Sequence, residues 1–304
     1  MSENQPIVEM QGITIEFPGV KALDGVNLRL FPGEIHALMG ENGAGKSTMI
    51  KALTGVYKIN GGSISVDSKP QTFTGTADAQ NAGIATVYQE VNLCTTLSIG
   101  ENVMLGHELH GPLGINWKKT HAQAKRHLAT LGLQHLDSHA SLSSISIAMQ
   151  QLVAIARAMV IDAKVLILDE PTSSLDANEV EHLFSIMRQV RDSGVAILFV
   201  SHFLDQIYEV TDRLTVLRNG TYIAEVMTKE TPRDELISMM IGKSAGELSQ
   251  IGAKKSSRTV ESSEQPVASV EGLGKKGSIK PISVDIFKGQ VLGLAGLLGS
   301  GRTE

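Results

Sequence analysis

The chain has 304 residues, with 27 Lys and Arg against 32 Asp and Glu and a formal net charge of −5. At roughly 150 residues per domain this length predicts about two domains, and the acidic balance argues against a protein that grips nucleic-acid phosphates over its whole surface. A composition 42% hydrophobic and 19% charged supplies a packed core, and the single cysteine, Cys94, excludes a disulfide framework and a cysteine-built zinc site, as expected in a reducing cytoplasm.

In chain order, residues 1–6 carry neither the basic nor the apolar segment that directs export. Residues 7–30 read as two or three antiparallel strands with a turn at Pro18-Gly19. Short β-branched runs then alternate with longer helical patterns, as in an α/β domain with a mainly parallel sheet. The buried-strand candidates are Ile35–Met39, 84–88, Val165–Asp169 and 195–200, followed by Arg213–Arg218 against an Asn219-Gly220 turn. Such runs fall far below the ~18 residues of a membrane span, so any membrane role is expected to come through a partner. Between 92 and 159 helix replaces strand. Asn116 is a candidate N-cap there, Trp117, Ala124, Leu128 and Leu131 fall near one face, and Gly132 ends the segment. This stretch is expected to form a helical subdomain inserted into the core. The helix predicted over 178–192 carries Val180, Leu183, Met187 and Val190 at helical spacing, and Asp176 with Glu179 supplies its capping box. Trp117 and Cys94 read as packing residues, and His107, His110, His121, His127, His135 and His139 show no paired ligand spacing.

Residues 243–265 are polar, low in aromatics and mixed in charge, the composition of a linker. Beyond them the chain repeats itself. Pro6-Ile7-Val8 and Gly12 find counterparts in Pro266-Val267 and Gly272, and residues 33–47 align with 289–303, so that Gly40 matches Gly296 about one whole domain later. The expected organisation is a first domain over 1–242, a linker over 243–265 and the start of a second domain over 266–304. About 40 residues cannot bury a core, so the chain is expected to be a piece of a longer tandem protein.

Gly40-Glu41-Asn42-Gly43-Ala44-Gly45-Lys46-Ser47 matches the eight-position phosphate-binding loop, with a strand before it and a helix starting near Ser47. Glycines let the backbone wrap a phosphate while successive N–H groups and the helix N-terminus point at it. Lys46 is placed to reach the β- and γ-phosphates, and the Ser47 hydroxyl, followed by Thr48, to bind Mg²⁺. The strand Val165–Asp169 ends in two acids, which at the carboxyl edge of a parallel sheet face the nucleotide. Asp169 suits indirect Mg²⁺ coordination and Glu170 suits polarising an attacking water.

Taken together, these residues resemble the ATPase subunits of ABC transporters, and the resemblance covers nearly the whole chain. It implies an α/β P-loop NTPase core with an N-terminal antiparallel β subdomain and an inserted helical subdomain, and ATP with Mg²⁺ as ligands. It assigns Tyr88-Gln89-Glu90 to the loop in which Gln89 touches Mg²⁺ and links the site to the helical subdomain. Ser174-Leu175-Asp176 resembles the D-loop, His202 the switch histidine, and Phe17 the aromatic that stacks on adenine. On the residues alone, Asp176 is equally a helix cap and Phe17 a core residue. The signature motif departs from the family: Ile145-Ser146-Ile147-Ala148-Met149 stands where Leu-Ser-Gly-Gly-Gln is usual. Ser146 is kept, and a helix from Met149 onward still turns its N-terminus toward a γ-phosphate, but both glycines that allow close backbone approach are lost. Arg302 stands in the second loop where Lys46 stands in the first, and its planar fork is not a neutral swap. The family pairs one domain's phosphate loop with the other's signature, so both departures fall in one shared site. One hydrolytic site and one impaired site are expected.

Within the family, residues 17–23, 40–48 and 296–303 look most like the fused-tandem ATPases of bacterial monosaccharide importers. Ala148-Met149-Gln150-Gln151, Glu90-Val91-Asn92-Leu93 and His202-Phe203-Leu204-Asp205-Gln206 resemble the galactofuranose branch, with arabinose import close behind. That resemblance implies membrane permease subunits as partners, a periplasmic sugar-binding protein acting through the permease, and a second ATP-binding domain in the same full-length chain. It places the protein at the cytoplasmic face of the bacterial inner membrane, with no nucleic-acid partner. A soluble ABC ATPase of translation or DNA repair would share the nucleotide site, but no basic surface or long charged linker is evident. Glu170 and His202 speak against a regulatory ATP-binding scaffold.

Overall fold

The computed structural model describes residues 5–88, 92–242, 265–275 and 279–293. Gln89, the linker and the second glycine loop with Arg302 lie outside the described residues. The chain divides into two compact units, Met1–Ala245 and Gly246–Glu304.

The first unit opens with β1 (Val8–Phe17), β2 (Val20–Leu30), β3 (Ile35–Met39) and α1 (Lys46–Leu53). Next come β4 (Gly61–Val66), β5 (Lys69–Gln71), α2 (Thr76–Asn81) and β6 (Ile84–Val87). The inserted segment contains α3 (Ile99–Met104), the short pair β7 (His110–Gly111) and β8 (Gly114–Ile115), α4 (Trp117–Thr130) and α5 (Ile147–Ala158). The core resumes with β9 (Val165–Asp169), α6 (Ala177–Asp192), β10 (Ala196–Val200), α7 (Leu204–Val210), β11 (Arg213–Arg218), β12 (Thr221–Met227) and α8 (Arg233–Ile241).

Two sheets result. One is antiparallel in the order β2-β1-β4-β5, so the predicted opening strand pair gains two later partners. The other runs β12-β11-β3-β10-β9-β6 and is parallel except for the β11–β12 hairpin at its edge. The continuous apolar runs follow from this layering, because both faces of the parallel sheet are covered. Alternate residues feed two cores. Ile35, Ala37, Leu166, Leu168, Ile197 and Phe199 face the helices α5 and α6, while Leu38, Val165, Ile167, Ala196 and Leu198 face α1 and the antiparallel sheet. Each fully buried Ile, Leu or Phe contributes about 1.5–3 kcal/mol of transfer free energy.

The capping box at Asp176 forms as read: its carboxylate accepts from Asn178 N at 2.8 Å and Glu179 N at 2.9 Å, and Glu179 accepts from Asp176 N at 3.0 Å. Asn116 caps α4 through a bond from Lys119 N, and Ala124 and Leu128 on that helix are fully buried. Three readings of the inserted segment need correction. It is not purely helical, since β7 and β8 form a two-stranded hairpin. The helix expected from Met149 begins at Ile147, because the Ser146 hydroxyl accepts from Met149 N at 3.3 Å and caps it two residues earlier. Trp117 and Cys94 are exposed rather than packed; Trp117, on the first turn of α4, is 45% exposed.

In the second unit, β13 (Ala268–Lys275) and β14 (Ile279–Ile286) form an antiparallel hairpin that repeats β1–β2 in register. Met10 pairs with Leu28 and Ile13 with Val26 across a bulge; Val270 pairs with Val284 and Leu273 with Ile282 across the same bulge. The bulge glycines agree as well, Gly12 at φ 61° and Gly272 at φ 62°, each donating its N–H to a side-chain oxygen of the partner strand. Met10, Ile13, Val26 and Leu30 are fully buried in the first unit, whereas Val270, Leu273, Ile282 and Ile286 are exposed in the second.

Candidate functional site

The order of the parallel sheet brings the carboxyl ends of β3, β10 and β9 side by side, the edge at which open α/β sheets bind ligands. The glycine loop leaves β3 there, Asp169 and Glu170 end β9, and His202 follows β10. A cleft of about 410 Å³ is lined by Asn42, Gly43, Gly45, Lys46, Ser47 and Thr48 together with Glu170 and His202. Sequence reasoning thus identified a set of residues, separated by more than half of the first unit, that share one cavity.

The loop backbone is set by glycine. A Cβ on Gly40 (φ 151°) would run into the Leu217 carbonyl oxygen, and one on Gly45 (φ 104°) would lie 2.6 Å from the Leu23 side chain. α1 starts at Lys46 with Gly45 as its N-cap, so the amides of the first turn have no side-chain partner and face the cleft. Lys46, 8% exposed, donates to Gly40 O at 2.7 Å and Glu41 O at 3.1 Å. Burial lowers its pKa, against the opposing pull of Glu170 and Asp169. Asp169 is pushed up, first by burial and then by Glu170, with Lys46 acting the other way. Burial thus disfavours the charged form of both groups, while each draws the other's charge in the opposite direction. Ser47 is exposed and lines the cleft, while Asp169, at the end of β9, is half-buried and is not among the lining residues.

Glu170 adopts φ 52°, a left-handed conformation that costs a non-glycine residue of order 1–3 kcal/mol and persists only where surroundings enforce it. Here Glu170 N donates to Val200 O at 2.9 Å, and the carboxylate meets His202 Nε2 at 2.5 Å. A second tie joins the two loops. Gln206 Oε1 accepts from the Thr172 hydroxyl at 2.7 Å and from the Ser201 hydroxyl at 2.8 Å. Thr172 and Ser201 are each 4% exposed, so Gln206 bridges the segment after Glu170 to the segment that carries His202. Sequence reading passed over Gln206 as part of a resemblance; no local pattern marks it. It also took Asn219-Gly220 only as a turn. That turn packs beneath the loop, with Gly220 N donating to Ala44 O at 3.1 Å, and it lines the cleft with Val20, Lys21 and Ala22.

Other predicted residues stand apart. Phe17 is 39% exposed at the end of β1 with Tyr57 edge-on at 5.2 Å, so it is not a core residue. Ser146 and Asp176 are exposed helix caps that do not line the cleft.

The family model described as ABC transporter matches residues 23–173. The chain is 78% identical over 304 residues to the fructose import ATP-binding protein FruK of Bifidobacterium longum (strain NCC 2705), covering 100% of this chain and 59% of that protein. It is 49% identical over 302 residues to the galactofuranose transporter ATP-binding protein YtfR of Escherichia coli (strain K12), covering 99% and 59%. To the ribose import ATP-binding protein RbsA 1 of Rubrobacter xylanophilus it is 41% identical over 300 residues, covering 99% and 58%. The chain thus spans about 59% of the length of these relatives. Among solved structures, the ADP conformation of MJ1267, an ATP-binding cassette of an ABC transporter, superposes with a TM-score of 0.68 at 25% identity, covering 83% of this chain and 100% of that one. With the glycine loop, the paired acids and the histidine gathered at one sheet edge, and relatives matching over the chain's full length, the chain belongs to the ABC transporter family of ATP-binding proteins.

Proposed function

We propose that the full-length protein binds and hydrolyses ATP to power import of a monosaccharide through a membrane permease. The observation that carries this is the cleft in which the Lys46 loop faces the Glu170–His202 pair. In this reading the ammonium of Lys46 leaves the Gly40 and Glu41 carbonyls and turns to the β- and γ-phosphates, alongside the amides of residues 42–48. Ser47 and Asp169 would hold Mg²⁺, with Gln89, and the metal would neutralise charge on the phosphates. Glu170 orients the attacking water, and His202 holds the γ-phosphate end while its partner Glu170 keeps it in place. Rate enhancement comes from positioning and charge, without a covalent intermediate. Phe17, with its exposed ring, is the platform for adenine.

Ser146 and Asp176 would act across a domain interface. The repeated register of β13–β14 supports the tandem arrangement, with a first domain over 1–242, a linker over 243–265 and a second domain beginning near 266. Pairing of the Ile147-Ala148 signature with the Arg302 loop then leaves one impaired site and one hydrolytic site. The sugar is assigned by kinship alone. The relative at 78% identity is named for fructose and the one at 49% for galactofuranose, so fructose ranks first and galactofuranose, arabinose and ribose follow. The partners are permease subunits and, through them, a periplasmic sugar-binding protein, with the ATPase at the cytoplasmic face of the inner membrane. Steady-state ATP hydrolysis by full-length Glu170→Gln, with uptake of labelled fructose after gene deletion, tests the reading. Turnover equal to the unmodified protein would refute the role of Glu170, and undiminished uptake would refute fructose.

A further inference from the structure

Residues 109–126 set a bare apolar tip beside an unpaired cationic helix face. Leu109, Ile115 and Trp117 are exposed, and Leu113, at the turn of the β7–β8 hairpin, has no cover at all at 104%. The hairpin is tied to the start of α4, since Asn116 N donates to Leu109 O at 2.7 Å and Leu109 N donates to the Thr120 hydroxyl at 3.1 Å. α4 carries Lys118, Lys119, Lys125 and Arg126 and no carboxylate. At 100° per residue these four cations fall within about 120° of the helix circumference and along about 12 Å of its length. Ala124 and Leu128, fully buried, mark the opposite side. Among the described residues none of the four cations is ion-paired, in a chain whose net charge is −5. The nearby carboxylates, Glu108 and Asp137, accept from the backbone N–H groups of Gly106 and His139. A groove of about 540 Å³ beside the helix is lined by Trp117, Lys118, His121, Lys125 and His139, with the two imidazoles stacked at 3.9 Å.

We propose that the β7–β8 hairpin and the exposed face of α4 form a peripheral contact with an anionic phospholipid bilayer. Leucine and isoleucine on a convex tip leave water by entering the acyl boundary, tryptophan sits at headgroup depth, and lysine and arginine stems reach back to the phosphates. Cations spread along a helix match a charged plane better than a single acidic side chain of a protein partner. No described helix is long and apolar enough to cross a membrane, so this contact lies at the surface.

The test uses the full-length protein with phosphatidylcholine vesicles, with and without phosphatidylglycerol. Cosedimentation is expected only with phosphatidylglycerol present, and it weakens as salt rises. Leu113→Ser lowers the partition coefficient, and Lys118→Gln with Lys125→Gln lowers it roughly 25-fold, at about five-fold per cation removed. Trp117 fluorescence moves to the blue on vesicle addition, a change that Trp117→Phe abolishes. Unaltered thermal melting of these surface variants separates loss of contact from loss of fold. The proposal fails if anionic vesicles do not bind the protein, if both variants bind like the parent, or if binding needs permease in the vesicle, since the patch then serves a protein.

Discussion

Lys46 donates to the loop's own carbonyls, Gly40 O and Glu41 O, so its charge stays satisfied within the glycine loop. Lys46→Ala removes a buried aliphatic stem but also the desolvation of its ammonium, so melting is expected to fall only modestly, while loss of charge-assisted bonds of about 2–3 kcal/mol weakens ATP binding about 100-fold in calorimetry. Unchanged affinity would refute its phosphate contact. Gln206 works through other residues. Gln206→Leu leaves the buried Thr172 and Ser201 hydroxyls without their acceptor. The loops bearing Glu170 and His202 then lose a tie, and turnover falls about tenfold with the ATP KM little changed. Gln206→Glu keeps an oxygen acceptor there and restores turnover; a KM rise without a kcat loss would contradict a positioning role. Lys46 and Glu170 were legible in the sequence because their motifs are contiguous. Gln206 was not, because its partners lie 34 and 5 residues away and come together only through strand order.

Among the elements, α6 shows a capping box that is written in the sequence and formed in the structure. Its N-cap Asp176 satisfies two amides that otherwise point at nothing. Asp176→Ala is expected to cost about 1 kcal/mol, within a range of about 0.5–2, read from the midpoint of urea unfolding, while Asp176→Asn retains most of the cap. If the two variants destabilise equally, the side-chain cap is not what holds the helix start. The strands β3, β9 and β10 were readable from runs of Ile, Val and Leu because both faces are buried. The β7–β8 hairpin was not, since two-residue strands leave no period to detect. Ser146 moved the start of α5 for a similar reason: a cap hydroxyl decides the first turn, not the family alignment.

Across the whole molecule, the central sheet encloses a histidine whose cost falls on acid stability. His36 on β3 is fully buried, its Nε2 paired with Thr215 Oγ1 at 2.8 Å, and burial, reinforced by Arg213 and Arg29, lowers its pKa from 6.5 to about 3. The unfolded chain takes a proton near pH 6.5 that the folded one refuses until about pH 3, so His36 leaves stability intact above pH 6.5 and erodes it as pH falls through that window. The loss approaches about 1.4 kcal/mol per pH unit, and His36→Phe is expected to flatten this slope in denaturant melts at pH 7 and pH 5. An unchanged slope would place the acid sensitivity elsewhere. The residues by themselves determined the alternation of strands and helices, the phosphate loop, the paired acids and the internal repeat, because each is written in contiguous or evenly spaced positions. Only the tertiary structure decided that β10 lies between β3 and β9, that Glu170 therefore meets His202 in a left-handed conformation, that Asn219-Gly220 supports the loop, and that Trp117 faces outward. Those outcomes depend on pairings between residues far apart in the chain, and strand order leaves no local trace in sequence.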